Sequence, residues 1–182
     1  MQEHTDEELL SMFADPERCN YAFNLIVRKY QERLYHHIRK MVIVHDDAND
    51  LLQNTFIKAF RGLSTFREDS QLYTWLYRIA SNESINFLNQ KRKRFFLPLH
   101  DVEGELSKHL SGAELICGDR IQMKLQQALL TLPVKQKLVF NLKYFEALTY
   151  EDIAEVTGTS VGALKASYHH AVKKIEEFML RD

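Results

Sequence analysis

The stretch from Thr149 to Lys174, TYEDIAEVTGTSVGALKASYHHAVKK, constrains this chain more than any other. Thr149 and Asp152 form a T-x-x-D pattern, in which each side chain satisfies the other's backbone N–H at a helix start. Ile153, Ala154 and Val156 give the short helix that follows an apolar face. Gly158 is suited to turn the chain at positive φ, and Thr159 or Ser160 then caps a second helix. Val161, Leu164, Tyr168, Val172, Ile175 and Met179 recur at helical spacing, so one face of that helix is committed to packing. The opposite face offers Lys165, Ser167, His169, His170 and Lys173. A small residue at Ala154, a turn at Gly158 and branched Leu164 fit a helix-turn-helix, where two helices cross closely and one enters a DNA groove. The alternative is an ordinary helical hairpin with a solvated polar face. The coincidence of small, turn and apolar residues at the right offsets favours DNA binding.

The rest of the chain reads as helical too. Six Gly and three Pro among 182 residues are few, and long stretches carry a 3.6-residue apolar period, so the expected fold class is all-α. The length allows one large or two small domains. Cys19 and Cys117 lie far apart without metal-ligand spacing and read as reduced thiols of a cytosolic protein. The acidic, polar start MQEHTDEELL is unlike a signal peptide, and no apolar run approaches a membrane span.

A net charge of −1 argues against a protein that coats nucleic acid unaided. Its distribution is uneven. Between Lys58 and Arg94 there are eight basic residues against three acidic, whereas Phe95–Arg120 holds Asp101, Glu103, Glu105, Glu114 and Asp119 against Lys108 and Arg120. Chance clustering on solvated faces is the bland account. A basic surface beside an acidic connector instead suggests regional DNA binding, restrained until a partner arrives.

In order, residues 6–15 suggest a short amphipathic helix closed by Asp15-Pro16. From Tyr21 to Val44, Phe23, Ile26, Val27, Tyr30, Leu34, Ile38, Met41 and Val42 mark a long helix packed along one face. His36 and His37 within it have no metal-ligand partner at suitable spacing and read as solvated or hydrogen-bonded. His45-Asp46-Asp47 is expected to cap a helix over Ala48–Leu63, with Leu52, Phe56, Ala59, Phe60 and Leu63 buried. Asp50, Gln53, Asn54 and Lys58 share its exposed side, which has few long cations and suits a protein partner better than DNA.

A polar loop, Ser64–Ser70, leads into a helix from Leu72 that ends in Lys91-Arg92-Lys93-Arg94. Tyr73, Trp75 and Tyr77 beside Asn82, Asn86 and the basic tail combine aromatics, amides and cations. Such a set stacks on unpaired bases, reads their edges and holds the backbone. Trp75, Leu76, Ile79 and Ile85 are read as core. Phe95–Arg120 holds Pro98 and three of the glycines and is expected to be a linker, with room for one helical turn near Leu106–Leu110. A helix over Ile121–Leu130, a Leu132-Pro133 turn with Pro opening the next helix, and a helix over Val134–Phe145 precede the helix-turn-helix.

With DDANDLLQNTFIKAFRGLSTF, YTWLYRIASN, the Leu132-Pro133 turn and YFEALTYEDIAEVTGTSVGAL all present in this order, the chain resembles the sigma-70 family of bacterial RNA polymerase sigma factors. Within that family it is most similar to the compact extracytoplasmic-function (ECF) group. The resemblance spans about Phe23–Arg94 and Ile121–Phe178. It implies two small helical domains joined by a flexible linker: residues 1–94 as sigma region 2, 95–120 as linker and 121–182 as region 4.

What the family does is then expected here. Asp50, Leu51, Gln53, Asn54, Phe56 and Ile57 would dock on the β′ clamp helices of core RNA polymerase. Phe66, Arg67, Asp69 and Ser70 of the loop, with Tyr73, Thr74, Arg78, Asn82, Asn86 and Lys91, Arg92, Lys93 and Arg94, would recognise and open the −10 promoter element. A base unstacked there must be held, at a cost of a few kcal/mol, and Asn82 with the loop would capture it. Ser160, Lys165, Ser167, His169, His170 and Lys173 would face the −35 element, while region 4 also contacts the polymerase β flap. The family commonly carries arginines where this chain has Lys165 and Ser167. Lysine lacks the bidentate fork for guanine, and His169 and His170 are expected on phosphates.

The resemblance also implies an anti-sigma factor as regulatory partner, a cytoplasmic location or one held at the inner membrane by that partner, no direct membrane insertion, no metal and no cofactor. The mechanism is binding and strand separation rather than catalysis, and no nucleophile–base pair or Gly-rich phosphate loop suggests an enzyme. A dimeric helix-turn-helix regulator would not need the aromatic Leu72–Asn86 surface. A helical adaptor would need neither Lys165 nor Lys91–Arg94.

Overall fold

The computed structural model describes residues 4–66, 70–94 and 120–181, with the backbone alone for residues 92–94 and 120. Eight α-helices make up the fold among these residues: α1 (Asp6–Ala14), α2 (Cys19–Val42), α3 (His45–Leu63), α4 (Leu72–Arg94), α5 (Arg120–Leu130), α6 (Val134–Tyr144), α7 (Tyr150–Thr157) and α8 (Val161–Met179). Of the expected linker, residues 95–120, all but Arg120 lie outside the described residues, the suggested turn at 106–110 among them, and Arg120 is the first residue of α5.

Local chemistry sets the helix ends. Thr5 and Glu8 close a capping box on α1, and Thr149 and Asp152 close another on α7. Gly158 ends α7 at φ 66° and ψ 24°, in the left-handed region where only glycine is free of a Cβ penalty. Of the two caps the sequence offered for α8, Ser160 serves, its hydroxyl accepting the Ala163 N–H at 3.4 Å. Two boundaries differ from expectation. Helix α3 begins at His45 with Val44 as its N-cap, so Asp46 and Asp47 lie in the first turn and make no side-chain cap. Their charge there still complements the positive end of the helix dipole. Pro133 is the N-cap of α6 rather than its first residue.

Between α2 and α3 the chain reverses at Ile43, which has φ 68° and ψ −39°. The Val44 N–H reaches the Val42 carbonyl at 2.8 Å, closing a γ-turn around a β-branched residue. Ile43 is only 4% exposed, so its buried side chain anchors the strained turn.

Helices α1 to α4 pack around Ile26, Leu34, Ile38, Leu51, Leu63, Leu76 and Ala80. Phe60 departs from its expected burial: it is 40% exposed, with its ring edge-on to Phe23 at 5.0 Å. Leu129, Leu132, Phe140, Ala171 and Ile175 form a second cluster that holds α5, α6 and α8 together. The larger cluster runs on into Leu138, Leu142, Ile153 and Leu164, because α6 packs on α2 and α7 packs on α4. Helices α6, α7 and α8 therefore share an apolar core with α1–α4, while α5 packs through the second cluster.

Candidate polymerase and nucleic-acid interface

The face of α3 divides as a 3.6-residue period requires. Asp50, Gln53, Asn54 and Ile57 fall at steps of three and four and are exposed, Ile57 by 43%. Leu51 and Phe56, expected at the same surface, are buried in the core and support that face from beneath. Phe60, one turn beyond Ile57, extends the exposed apolar strip, a contribution its assignment to the core concealed.

At the start of α4, Phe66 leans on Trp75 with ring centroids 5.2 Å apart. Gly62 leaves room for that indole, since a Cβ there would meet the Trp75 ring at 3.1 Å. Arg67 and Asp69 lie outside the described residues. Ser70 and Tyr73 are half-buried, whereas Arg78, Asn82 and Asn86, spaced four apart, share one exposed face.

Thr74, expected at the −10 surface, and Tyr77, expected among the base-stacking aromatics, are interior. Thr74 is 1% exposed and its hydroxyl has no protein partner. Tyr77 is 3% exposed, its phenol donating to Glu146 Oε2 at 2.6 Å. The cause is that α4 is covered by α7 as well as by α2 and α3. Burial, then the hydrogen bond and charge of Glu146, push the Tyr77 phenol up. Burial, with the Asp152 and Glu155 charges adding to it, also raises that of Tyr73.

The basic end of α4 is partly engaged within the protein. Lys91 Nζ lies 3.3 Å from Asp47 Oδ2 and stands over the Phe87 ring. Arg92, Lys93 and Arg94 continue the helix.

On α8, Leu164, Ala171 and Ile175 are buried while Lys165, His169, His170 and Lys173 are exposed and Ser167 is half-buried. Ser160 is exposed, but its hydroxyl is committed to the helix cap. Lys165 Nζ sits 5.7 Å from the Tyr150 ring centroid, which tethers it loosely beside the turn. Tyr168 stacks on Phe140 at 5.8 Å and fixes the rotation of α8 on α6.

Two basic residues are buried among the described ones: His37, whose hydrogen-bonded role was one of the two readings open to it, and Lys137, which sequence reasoning missed. His37 is fully buried, shares a hydrogen bond with Ser81 Oγ at 3.0 Å and meets the Tyr77 ring edge at 5.0 Å. Burial pushes its pKa down to about 4. Lys137, 5% exposed, donates to the Met41 carbonyl at 3.0 Å, and burial pushes its pKa down to about 8. The available signal was helical spacing, which puts His37 on the face of Leu34 and Met41 and Lys137 on that of Val134 and Asn141. Among the described residues, no group of three or more His, Cys, Asp or Glu is placed to hold a metal ion, and no helix is long and apolar enough to cross a membrane.

Similarity to known proteins follows the two sets of helices. The family model for sigma-70 region 2 matches residues 26–94, and that for sigma-70 region 4 matches residues 122–175. The chain belongs to the sigma-70 family. Its relatives place it in the ECF group of RNA polymerase sigma factors. It is 35% identical to the RNA polymerase sigma-H factor of Pseudomonas aeruginosa, over 86% of this chain and 85% of that protein. It is 33% identical to the ECF RNA polymerase sigma-E factor of Haemophilus influenzae, over 85% and 86%.

Two solved structures share the architecture of this sigma factor. CnrH in complex with the cytosolic domain of CnrY has a TM-score of 0.69 at 22% identity, covering 96% of each chain. The sigma factor RpoE of Bartonella quintana, in complex with the anti-sigma factor NepR, has a TM-score of 0.66 at 25% identity, covering 88% of this chain and 98% of that one. The chain is thus an ECF sigma factor, a promoter-specificity subunit that binds core RNA polymerase, recognises −35 and −10 elements and promotes DNA melting.

Proposed function

We propose that this sigma factor divides its work between residues 1–94 as region 2 and 121–182 as region 4, joined by residues 95–120. The face of α3 bearing Asp50, Gln53, Asn54 and Ile57 docks on the β′ clamp of core polymerase. The observation that carries this reading is the clean split of α3 into that exposed face and a buried one containing Leu51 and Phe56. A polar rim around an accessible isoleucine suits a protein partner.

Phe66, Ser70 and the exposed Arg78–Asn82–Asn86 face receive the opened −10 strand. Arg67, Asp69 and Arg92–Arg94 complete that surface from positions adjacent in sequence. A base once flipped finds an amide to read its edge at Asn82 and an aromatic platform at Phe66. Helix α8 presents Lys165, His169, His170 and Lys173 to the −35 duplex, while region 4 rests on the β flap. An anti-sigma factor restrains the protein, in keeping with the NepR complex of the Bartonella relative. Where that partner is membrane-anchored, the sigma factor waits in the cytoplasm at the inner membrane.

Transcription in vitro by purified core polymerase on a library of promoter fragments, with and without this protein, tests the reading. Protein-dependent initiation at a shared two-part motif is the expected result. Absence of initiation, with tight operator binding by the protein alone, would replace this division of labour with that of a conventional helix-turn-helix regulator.

A further inference from the structure

The C-terminal region is poor in permanent positive charge. Residues 121–182 hold eight basic residues against seven acidic ones, a net charge of +1 with its histidines neutral and +3 with both protonated. Those histidines are His169 and His170, the only two in this stretch, and both are exposed on α8. Duplex DNA is held largely through its phosphates, which need cationic or donating partners. Against a net charge of +1, two further charges at the point of contact are a large change.

Most other polar groups on α8 are engaged. The Ser160 hydroxyl accepts the Ala163 N–H, Ser167 is half-buried, Lys165 rests beside the Tyr150 ring, and Lys174 donates to Gln136 Oε1 at 3.4 Å. Lys173 and the two imidazoles make no hydrogen bond or ion pair among the described residues, and the histidine rings meet each other at 6.0 Å. Lys165, His169 and Lys173 recur every four residues and form one row, with His170 in the row beside it. Exposed Gly162 and Ala166 on the same side keep the preceding turns low, so a duplex backbone can approach the rings.

Helices α5, α6 and α7 pack against α8. On α5, Lys124 donates to the Arg181 carbonyl. On α6, Lys137 is buried, Lys143 donates to the Leu148 carbonyl and lies over Tyr150, and Lys135 is exposed. On α7, Asp152 is held in the Thr149 cap, Glu155 lines the recess beside Phe66, and Glu151 is exposed. Along α8 itself, Lys165, Lys173 and Lys174 lie about one turn away, and Glu176 and Glu177 about two turns. An approaching phosphate is therefore the first anion that either imidazole pairs with.

We propose that His169 and His170 make −35 binding proton-linked: each imidazole takes up a proton from solvent as it seats against a phosphate of the duplex backbone, so affinity rises as pH falls through neutrality. The inference rests on the assignment of α8 as the −35 helix. Imidazole is the side chain that changes charge between pH 5 and 8, and an adjacent anion favours its charged form. Protons taken up on binding appear, by linkage, as tighter binding at lower pH. Lysine or arginine in either place would stay charged and bind alike across that range.

The test uses the full-length protein and the anisotropy of a fluorescein-labelled, sequence-randomised duplex of about 30 base pairs, because phosphate contacts do not depend on sequence. Affinity is read from about pH 6 to pH 7.5, at salt from about 0.05 to 0.2 M. This window lies below the value of about 8 to which burial pushes Lys137 and above the value of about 4 for His37. Far-UV circular dichroism confirms that every protein stays folded. The remaining histidines are common to wild type and variants, so their effect cancels.

Wild type binds about tenfold tighter at the acid end, where its salt dependence steepens by up to about two counterions. His169→Gln/His170→Gln loses both effects and binds as wild type does at the alkaline end. His169→Arg/His170→Arg binds tightly at every pH. A wild type that binds no tighter at the acid end, undetectable binding included, would overturn the proposal, and so would a Gln pair that keeps the wild-type pH profile. Lys165→Ala on the same duplex separates the linkage from the reading beneath it. Weaker binding by Lys165→Ala, with the pH profile retained in the Gln pair, leaves α8 on DNA and removes the linkage. Unchanged affinity in Lys165→Ala, the Gln pair and the Arg pair takes α8 off the duplex, and the linkage with it.

Discussion

Tyr77 of α4 donates its phenol to Glu146 Oε2 at 2.6 Å, joining residues 69 positions apart in sequence and belonging to different regions of the sigma factor. A carboxylate taken out of water is costly unless its oxygens are paired, and Glu146 has two donors, this phenol and Lys40. Removing the hydroxyl in Tyr77→Phe leaves the ring in place and one carboxylate oxygen unsatisfied. The folded state then loses about 1–3 kcal/mol, read as a lower urea midpoint with an unchanged helical signal. An unaltered midpoint would show that Glu146 is already hydrated.

His37 makes stability depend on pH. It faces Ser81 and the Tyr77 ring, with Glu146 and Lys40 as the nearby charges. Burial lowers its folded pKa from 6.5 to about 4, so the unfolded chain binds the proton first as pH falls. The contribution is fully present above pH 6.5 and is lost progressively as pH drops toward 4. The loss amounts to roughly 3 kcal/mol. Urea unfolding of wild type and His37→Gln between these limits checks it, the variant showing the shallower dependence.

Ile43 sets backbone strain against burial. A β-branched residue at φ 68° costs about 1–3 kcal/mol, which Gly would relieve. Truncating a buried isoleucine costs about 2–5 kcal/mol, and Gly adds about 1 kcal/mol of chain entropy. Burial wins, so Ile43→Gly lowers stability by about 1–3 kcal/mol in equilibrium denaturation. A more stable variant would mean that strain dominates the turn.

Asn82 is exposed on α4 and separate from the α3 face. Asn82→Ala is expected to reduce opening of the −10 element about ten- to hundredfold, the equivalent of losing part of a flipped base's stabilisation. Affinity for core polymerase stays the same. Permanganate reactivity of promoter thymines measures opening, and fluorescence titration measures core binding. Parallel losses in both would take Asn82 out of base capture.

Lys165 is exposed on α8 beside the Tyr150 ring. Replacing it with alanine removes one cation from the groove-facing side, weakening binding to −35 duplex about five- to tenfold. Initiation from a template already opened as a bubble should hardly change. Unchanged affinity for the duplex would place the reading surface elsewhere on α8.

Helices, caps and the helix-turn-helix were legible in the sequence because the interactions that fix them are local. Thr149 bonds Asp152 three residues away, Gly158 needs only its own backbone freedom, and the period of Leu164, Tyr168 and Ile175 is set within one helix. The family motifs rest on such stretches, so the fold class and the exposed face of α3 could be read from them. What covers a helix face is set by another element, distant in sequence. Lys137 and Met41 are 96 residues apart, and Lys91 and Asp47 are 44 apart. Thr74 and Tyr77 lie on a helix whose composition suits base stacking, yet the elements packed on that helix bury them, Tyr77 against His37 of α2 and Glu146. Only tertiary packing decided which aromatics and cations of α4 remain available, because desolvation and pairing depend on neighbours that no local pattern specifies.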